Sequence, residues 1–481
     1  MIRLLFAFVF LIISYIEFSF VTYYFQIKEY RFDRLLSYIK EKGLGFFIFP
    51  ERLFFPKKSV RNRNIFIVHT ILILVYLGFV LVLTKDIYIL ILFLTMVPVV
   101  TILNILIGVL YTSIVVKRKR GDTIRQAADL IKESKAIFIG ITGSFGKTST
   151  KEFLYSILNQ SFNVGKTDEN QNTDVGIAMS INKNLNKDTD IFIFEAGAYS
   201  IGEIKKIVSW IKPKYGILTG LGNQHLSLFG SRENLIKAKS ELFEILPSNG
   251  AAYINKDSSG YKKVLEILKC SAVLYSGTDL DADIYLKKYL KNNISDNFNV
   301  TISYKGEDLN FVSRLIGRHN IVNLLPCIAL ALDLGVSRDL VKQELESMNQ
   351  VSGKLSKHRG LNEATYLNDS YSSNLDGFLS AIDVMKDIDG KRKIIITKGI
   401  IELGKEMGSS YSKILSMTNN DNMLIYTTDK LLKKLDTVGI VTIFKNENQI
   451  LNHLMREINK DDLILIEGRF SDRFLFKLNL E

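Results

Sequence analysis

Three long apolar runs crowd into the first quarter of the chain, and they constrain the fold more than any other feature. Leu4–Phe25 carries one charge, Glu17, while Ile65–Thr84 and Ile87–Val116 carry none. Each reaches the roughly 20 residues needed to cross a bilayer core. The first run is too long and lacks the small-residue cleavage site of a signal peptide. The third is long enough to tilt, or to kink at Pro98. Glu17 lies near an interface or makes a polar contact inside the bundle. Between the first two runs, residues 26–64 hold ten Lys/Arg against four acids, and Lys117-Arg118-Lys119-Arg120 follows the third. The positive-inside rule places both basic segments in the cytoplasm, which gives a multi-pass protein with its N-terminus outside. The net charge of +12 is thus largely a topology signal, and no nucleic-acid partner is expected. Cys270 and Cys327 are far apart in apolar surroundings, which fits a reducing cytoplasm and no disulfide framework.

After Arg120 the pattern alternates between strands and helices, as in α/β domains with a parallel sheet. Ala136–Thr142 reads as a buried strand, followed by a loop and a helix from Lys147 to about Asn159. Asp190–Glu195 and Tyr215–Thr219 read as further strands, with a helix over Ile201–Trp210 between them. A composition shift at Ser352–Gly360 reads as a linker. Beyond it, strands at Thr365–Leu367, Lys393–Thr397, Met423–Tyr426 and Leu463–Ile466 predict a smaller, Rossmann-like α/β domain. The expected domains are a membrane part over 1–120, a P-loop-type central ATPase domain over 121–351, and a C-terminal domain over 352–481. Two α/β domains joined by a hinge commonly bind ligand in the cleft between them.

The loop Thr142-Gly143-Ser144-Phe145-Gly146-Lys147-Thr148-Ser149 lies between strand and helix, where backbone N–H groups converge on phosphate oxygens. Lys147 is placed to reach terminal phosphates and Thr148 to set a hydroxyl on Mg²⁺. The generic motif has a glycine where this chain has Ile141. Glu195, at the end of a strand beside the loop, is a candidate Mg²⁺ ligand or a helix-capping carboxylate. His225 follows another strand at the same edge and is equally a structural histidine on this reading. The polar stretch Thr167–Gly176 (TDENQNTDVG) is a substrate loop or a solvated one.

Together these residues resemble the Mur ligase family, nearest to its MurF type, which joins D-alanyl-D-alanine to a muramoyl-tripeptide. GSFGKT (143–148) resembles the family loop, which also lacks the early glycine. TDENQNTDVG (167–176), EAGAYSIGEI (195–204), GNQHLSLFGS (222–231) and KAKSEL (237–242) resemble further family segments. So do LIGRHNIVN (315–323), NDSYSSN (368–374) and IELG (401–404), all in family order. The resemblance implies that ATP phosphorylates a substrate carboxylate and that an amine attacks the acyl phosphate. It implies Lys147 on the γ-phosphate, and Thr148, Glu195 and His225 on magnesium. Lys239 falls where the family carries a carbamylated lysine, which would face a second metal. Asn320 would face the adenine, Asp369 would reach the nucleotide after closure, and Asn170, Asn172 and Thr173 would contact substrate. Lys354 stands where the family has a hinge arginine, Asn368 replaces the first acid of an Asp-Asp pair, and Lys398-Gly399 replaces a Gly-Asp. These changes leave open which amino acid or dipeptide is added. They also leave open a relative that amidates with ammonia from a glutaminase partner.

MurF-type enzymes begin with a soluble domain that binds the uridine-diphosphate end of the substrate. Between Arg120 and the first central strand there is no room for one. The expectation is either a lipid-linked muropeptide held at the membrane or spans that merely anchor an enzyme acting on the UDP-linked precursor. A membrane transporter or sensor driven by an ATPase domain is the alternative from another class, and it leaves the KAKSEL segment and the second α/β domain unexplained.

Overall fold

The computed structural model describes residues 2–27, 30, 55–222, 229–292, 297–350, 355–370, 375–400 and 407–480. They form two compact units, Met1–Asp122 and Thr123–Glu481.

Among the described residues of the first unit, three helices are long and apolar enough to cross a membrane: Arg3–Ile27, Val60–Leu83 and Val97–Glu133. The third apolar run differs from expectation. It is not one helix from Ile87 but two, Ile87–Thr95 and Val97–Glu133. The break falls at Met96, whose N–H turns back to Phe93 three residues earlier at 3.2 Å. Pro98 lacks an N–H and tolerates only the first turn of a helix, so a new helix starts around it. The second of these helices continues through Lys117–Arg120 to Glu133, well past the last apolar residue of the run. Inside the unit, Ser14 hydrogen-bonds both His69 Nε2 (3.1 Å) and Thr101 Oγ1 (3.0 Å), and Glu17 is buried rather than at the rim.

The second unit contains, among its described residues, a nine-stranded sheet and a six-stranded sheet. The larger comprises β1 (Ile137–Thr142), β2 (Val164–Lys166), β3 (Ile191–Glu195), β4 (Tyr215–Leu218), β5 (Ala251–Asn255), β6 (Ser271–Ser276), β7 (Ile284–Lys291), β8 (Phe298–Tyr304) and β9 (Glu307–Ser313), in the order β2-β3-β1-β4-β5-β6-β7-β8-β9. Pairing is parallel from β2 through β7, but β7, β8 and β9 pair antiparallel. The central sheet is therefore not parallel throughout.

The strands β1 and β3 are apolar on both faces because both are covered. Ile139, Ile141, Ile191 and Ile193 pack with the helices Lys147–Leu158 and Arg318–Asp333 on one face. Phe138, Phe192 and Phe194 pack with the helices Asp174–Asn184 and Glu203–Ile211 on the other. The chain leaves β1 for β2 on one side and later crosses from β3 to β4 on the other. The end of β1 is thus a topological switch point, where open α/β sheets bind ligands.

The smaller sheet pairs Ser356–Arg359 antiparallel with Thr365–Asp369, and its remaining strands run parallel. The strands foreseen at Lys393–Thr397, Met423–Tyr426 and Leu463–Ile466 all lie within it, with bounds that agree to about a residue.

Candidate active site

The loop after β1 is shaped by two glycines. Gly143 has φ +151°, and a Cβ there would meet Thr219 Oγ1 at 2.1 Å. Thr219 cannot move aside cheaply, because its hydroxyl donates to the carbonyls of Thr142 and Phe145. Gly146 caps the helix Lys147–Leu158 with φ +79°, and its missing side chain leaves room for Asn323. Ser144 N donates to Gly220 O (2.6 Å), and Ser144 Oγ to Gly222 O (3.3 Å), which ties the loop to the end of β4. Thr142 Oγ1 donates to Ala196 O (3.0 Å), which ties it to the end of β3, and Ser149 is buried in the first helical turn. Gly143→Ala is expected to cost about 1–3 kcal/mol from the strained backbone alone. A lowered Tm together with weakened nucleotide binding would check this.

Lys147 Nζ folds back onto Gly143 O (2.9 Å) and Ser144 O (3.4 Å). Burial pushes its pKa down, and the charge of Glu195 opposes that shift. The β1–β3 register sets Ile141 beside Glu195, so the carboxylate emerges next to the loop. Thr148 Oγ1 donates to Glu195 Oε2 at 2.9 Å, and Asn172 Nδ2 donates to Oε1 at 3.4 Å.

Lys239 lies in the helix Arg232–Ser240 and is only 4% exposed. Its ammonium donates to Ala198 O at 3.4 Å. Burial, and then the positive charge of Lys147, push its pKa down to about 7, while Glu195, Glu203 and Glu241 pull the other way. Lys147, Glu195 and Lys239 thus share one electrostatic environment around the loop. No cluster of three His, Cys, Asp or Glu is present among the described residues. A hydroxyl beside one carboxylate nevertheless suits Mg²⁺, which keeps several waters and takes few protein ligands. Chemically, the arrangement offers donors for phosphate oxygens and a hydroxyl–carboxylate pair for a divalent cation.

Residues 141–331 match the family model described as the Mur ligase middle domain. The UDP-N-acetylmuramoyl-tripeptide–D-alanyl-D-alanine ligase of Escherichia coli K12 is 30% identical over 289 residues, which is 60% of this chain and 63% of the relative. The ligase of the same name from Buchnera aphidicola (strain Bp) is 28% identical over 337 residues, covering 69% of this chain and 72% of the relative. Residues 141–331 thus match a Mur ligase middle domain, and the chain spans 63% of the length of the first of these relatives. MurF from Acinetobacter baumannii shares the fold with a TM-score of 0.65 at 22% identity, over 73% of this chain and 77% of that one. The MurF ligase from Thermotoga maritima in complex with ADP gives 0.66 at 20% identity, over 75% and 83%.

The Mur ligase fold does not gather every residue expected from the sequence. Lys147, Thr148, Glu195, Asn172 and Lys239 meet around the loop. Thr173 is the N-cap of the helix Asp174–Asn184, its hydroxyl accepting from Gly176 N at 3.3 Å. Asn170 sits at a left-handed turn with φ +60°. Asn320 is buried, donating to Ile316 O (2.8 Å) and Gln350 Oε1 (3.2 Å). Asp369 stands at the C-terminal end of its strand in the smaller sheet. His225 and Lys354 lie outside the described residues.

Of the residues that hold this site together, Lys151 escaped the sequence reading, while Thr167 and Asn323 lay in segments it singled out without giving either a role of its own. Lys151 is 1% exposed and donates to Thr167 O (2.8 Å), while Thr167 Oγ1 accepts from Glu195 N (3.3 Å). The two join the loop helix, the polar stretch and β3. The signal for Lys151 was a lysine on the otherwise apolar face of that helix. Asn323, last of the LIGRHNIVN segment, fills the space beside Gly146. Asn172→Ala is expected to lower kcat about tenfold without lowering Tm, because such outer partners orient a metal ligand. Steady-state kinetics beside a melting curve checks it.

Proposed function

We propose that the chain is an ATP-dependent amide ligase of cell-wall precursor synthesis. It activates a substrate carboxylate as an acyl phosphate and couples it to an amino acid or dipeptide such as D-Ala-D-Ala. The observation that carries this reading is the Thr148–Glu195 hydrogen bond beside Lys147 at the switch point of the sheet. The names of the relatives supply the substrate class, a UDP-linked muramoyl-tripeptide and D-alanyl-D-alanine.

Phosphoryl transfer asks for positioning and charge neutralisation more than for covalent help from the protein. The loop N–H groups hold the phosphates, and the Lys147 ammonium unfolds from its carbonyl contacts to neutralise the moving γ-phosphoryl group. Thr148 and Glu195 would hold Mg²⁺, with His225 and a carbamate on Lys239 as further ligands. When bound, the ion neutralises phosphate charge. The pKa of Lys239 leaves a neutral amine near pH 7, which carbamylation by CO₂ requires. Asp369 and Lys354 from the C-terminal domain, and Asn320 at the adenine, would complete the nucleotide site on closure, which keeps water from the acyl phosphate.

The membrane reading rests on the three long apolar helices and the basic segments flanking them. They support a multi-pass membrane protein with a cytoplasmic ligase. The acceptor on this reading is a polyprenyl-diphosphate-linked muropeptide at the cytoplasmic leaflet. Phosphate release by the detergent-purified chain, measured with one amine and one acceptor at a time, tests both points. Release is expected with D-Ala-D-Ala and the lipid-linked acceptor. Product from the nucleotide-linked acceptor alone would remove the lipid-linked substrate, and release driven by ammonia alone would favour an amidotransferase.

A further inference from the structure

We propose that Glu241 is a positioning residue: its carboxylate locks the end of the helix carrying Lys239 onto the segment that leads away from Glu195, holding the two groups in register. The proposal rests on the ligase reading for what Lys239 does, and on hydrogen bonds for what Glu241 does.

The helix Glu203–Ile211 begins after Gly202, which has φ +94° and no side chain with which to cap the first turn. Free N–H groups at a helix start need acceptors. Glu241, from a different element, supplies both. Its Oε1 accepts from Gly202 N at 2.5 Å and its Oε2 from Lys205 N at 2.8 Å. A buried carboxylate at that end also meets the positive pole of the helix. Glu203 Oε2 accepts from Tyr199 N at 2.7 Å and closes the same turn from within.

What this cap holds is the stretch Ala196–Gly202. At one end the stretch is the direct continuation of Glu195. There Ala196 N donates to Ile141 O (2.8 Å), Ala196 O accepts from Thr142 Oγ1 (3.0 Å), and Gly197 N donates to Asn172 O (2.8 Å). In its middle, Ala198 O accepts from Lys239 Nζ. At its far end is the Glu241 cap, two residues beyond Lys239 in the chain. Lys239 is thus referenced to Glu195 through one short stretch of backbone pinned at both ends. Without the Glu241 pin, the lysine loses its fixed distance to Glu195, and a carbamate on it loses its place.

The test uses the full chain in detergent, with ¹³C-bicarbonate and NMR detection of the Lys239 carbamate, alongside kcat and the KM for ATP. Glu241→Ala is expected to lower carbamate occupancy and kcat together by about 10- to 100-fold, as loss of a partner that orients a ligand does. The KM for ATP should stay within about twofold, since the phosphate loop is pinned independently. Glu241→Gln keeps the shape and one acceptor oxygen, and should fall between the two. Glu241→Ala with wild-type occupancy and kcat overturns the proposal, as does a lower Tm with both unchanged well below the melting range. If Glu241→Ala does not fold, Glu241→Gln decides on the same readouts, and wild-type values in both overturn it. A wild-type protein with no carbamate signal, whose Lys239→Ala variant is fully active, would overturn the ligase reading of Lys239 and this proposal with it. A wild-type carbamate signal with indifferent Glu241 variants overturns this proposal alone.

Discussion

Lys147→Ala is expected to lower the rate of ATP-dependent ligation by about 10³-fold or more, the range seen when a cation on a transferring phosphoryl group is removed. The side chain is half-buried and lies on carbonyls of its own loop, where its ammonium is the charge closest to the phosphate position. Lys239 is positive only in part near neutral pH. Folding should survive. Removing a buried ammonium relieves a desolvation cost, and the loop keeps its ties to Gly220, Gly222 and Ala196. Single-turnover kinetics with saturating ATP, next to a melting curve, reads both effects. Full activity in Lys147→Ala would refute the ligase mechanism.

The second large effect belongs to Lys239 and depends on pH. Its pKa, held down to about 7 by burial and by Lys147, decides how much amine is available to CO₂. Above pH 7 the neutral amine predominates and a carbamate forms. As pH falls through 7 the amine is protonated and the carbamate is lost. Forming the carbamate from the ammonium releases two protons, so at fixed dissolved CO₂ the rate should fall steeply, by up to about a hundredfold per unit below pH 6, and added bicarbonate should restore part of it. Lys239→Ala should fall about 10²-fold and lose both the bicarbonate response and the inflection near pH 7. A wild-type profile that is flat from pH 6 to 8 at fixed dissolved CO₂ would contradict this role.

Much of this fold could be read ahead because burial on both faces leaves an unambiguous mark. β1, β3 and β4 are runs of Ile, Phe and Leu, and the loop glycines stand where only a left-handed or crowded backbone fits. The meander β7–β9 left a weaker mark. Lys287, Lys288 and Lys291 interrupt β7 on its exposed side, so no apolar run announces it. The helix Val97–Glu133 outlasts its apolar stretch because Lys117–Arg120 are good helix formers in water. Polar residues that work through geometry were the hardest to see. Glu241 reads as an ordinary helix-end acid, and only the fold brings it to the bare start of another helix. Thr173, expected at the substrate, also caps a helix, which no motif announced. Glu195, by contrast, was legible because a carboxylate closing an apolar strand beside a phosphate loop has few structural reasons to be there.

The central claim is that a carboxylate oxygen attacks the γ-phosphorus of ATP. An acceptor labelled with ¹⁸O in the reacting carboxylate tests this most directly. If an acyl phosphate forms and the amine expels its phosphate, the bridging oxygen leaves with phosphorus. The inorganic phosphate released in step with amide product will then carry one ¹⁸O, and the amide will retain the other. Phosphate free of ¹⁸O, released with ADP from an ATP split by water, would contradict the account.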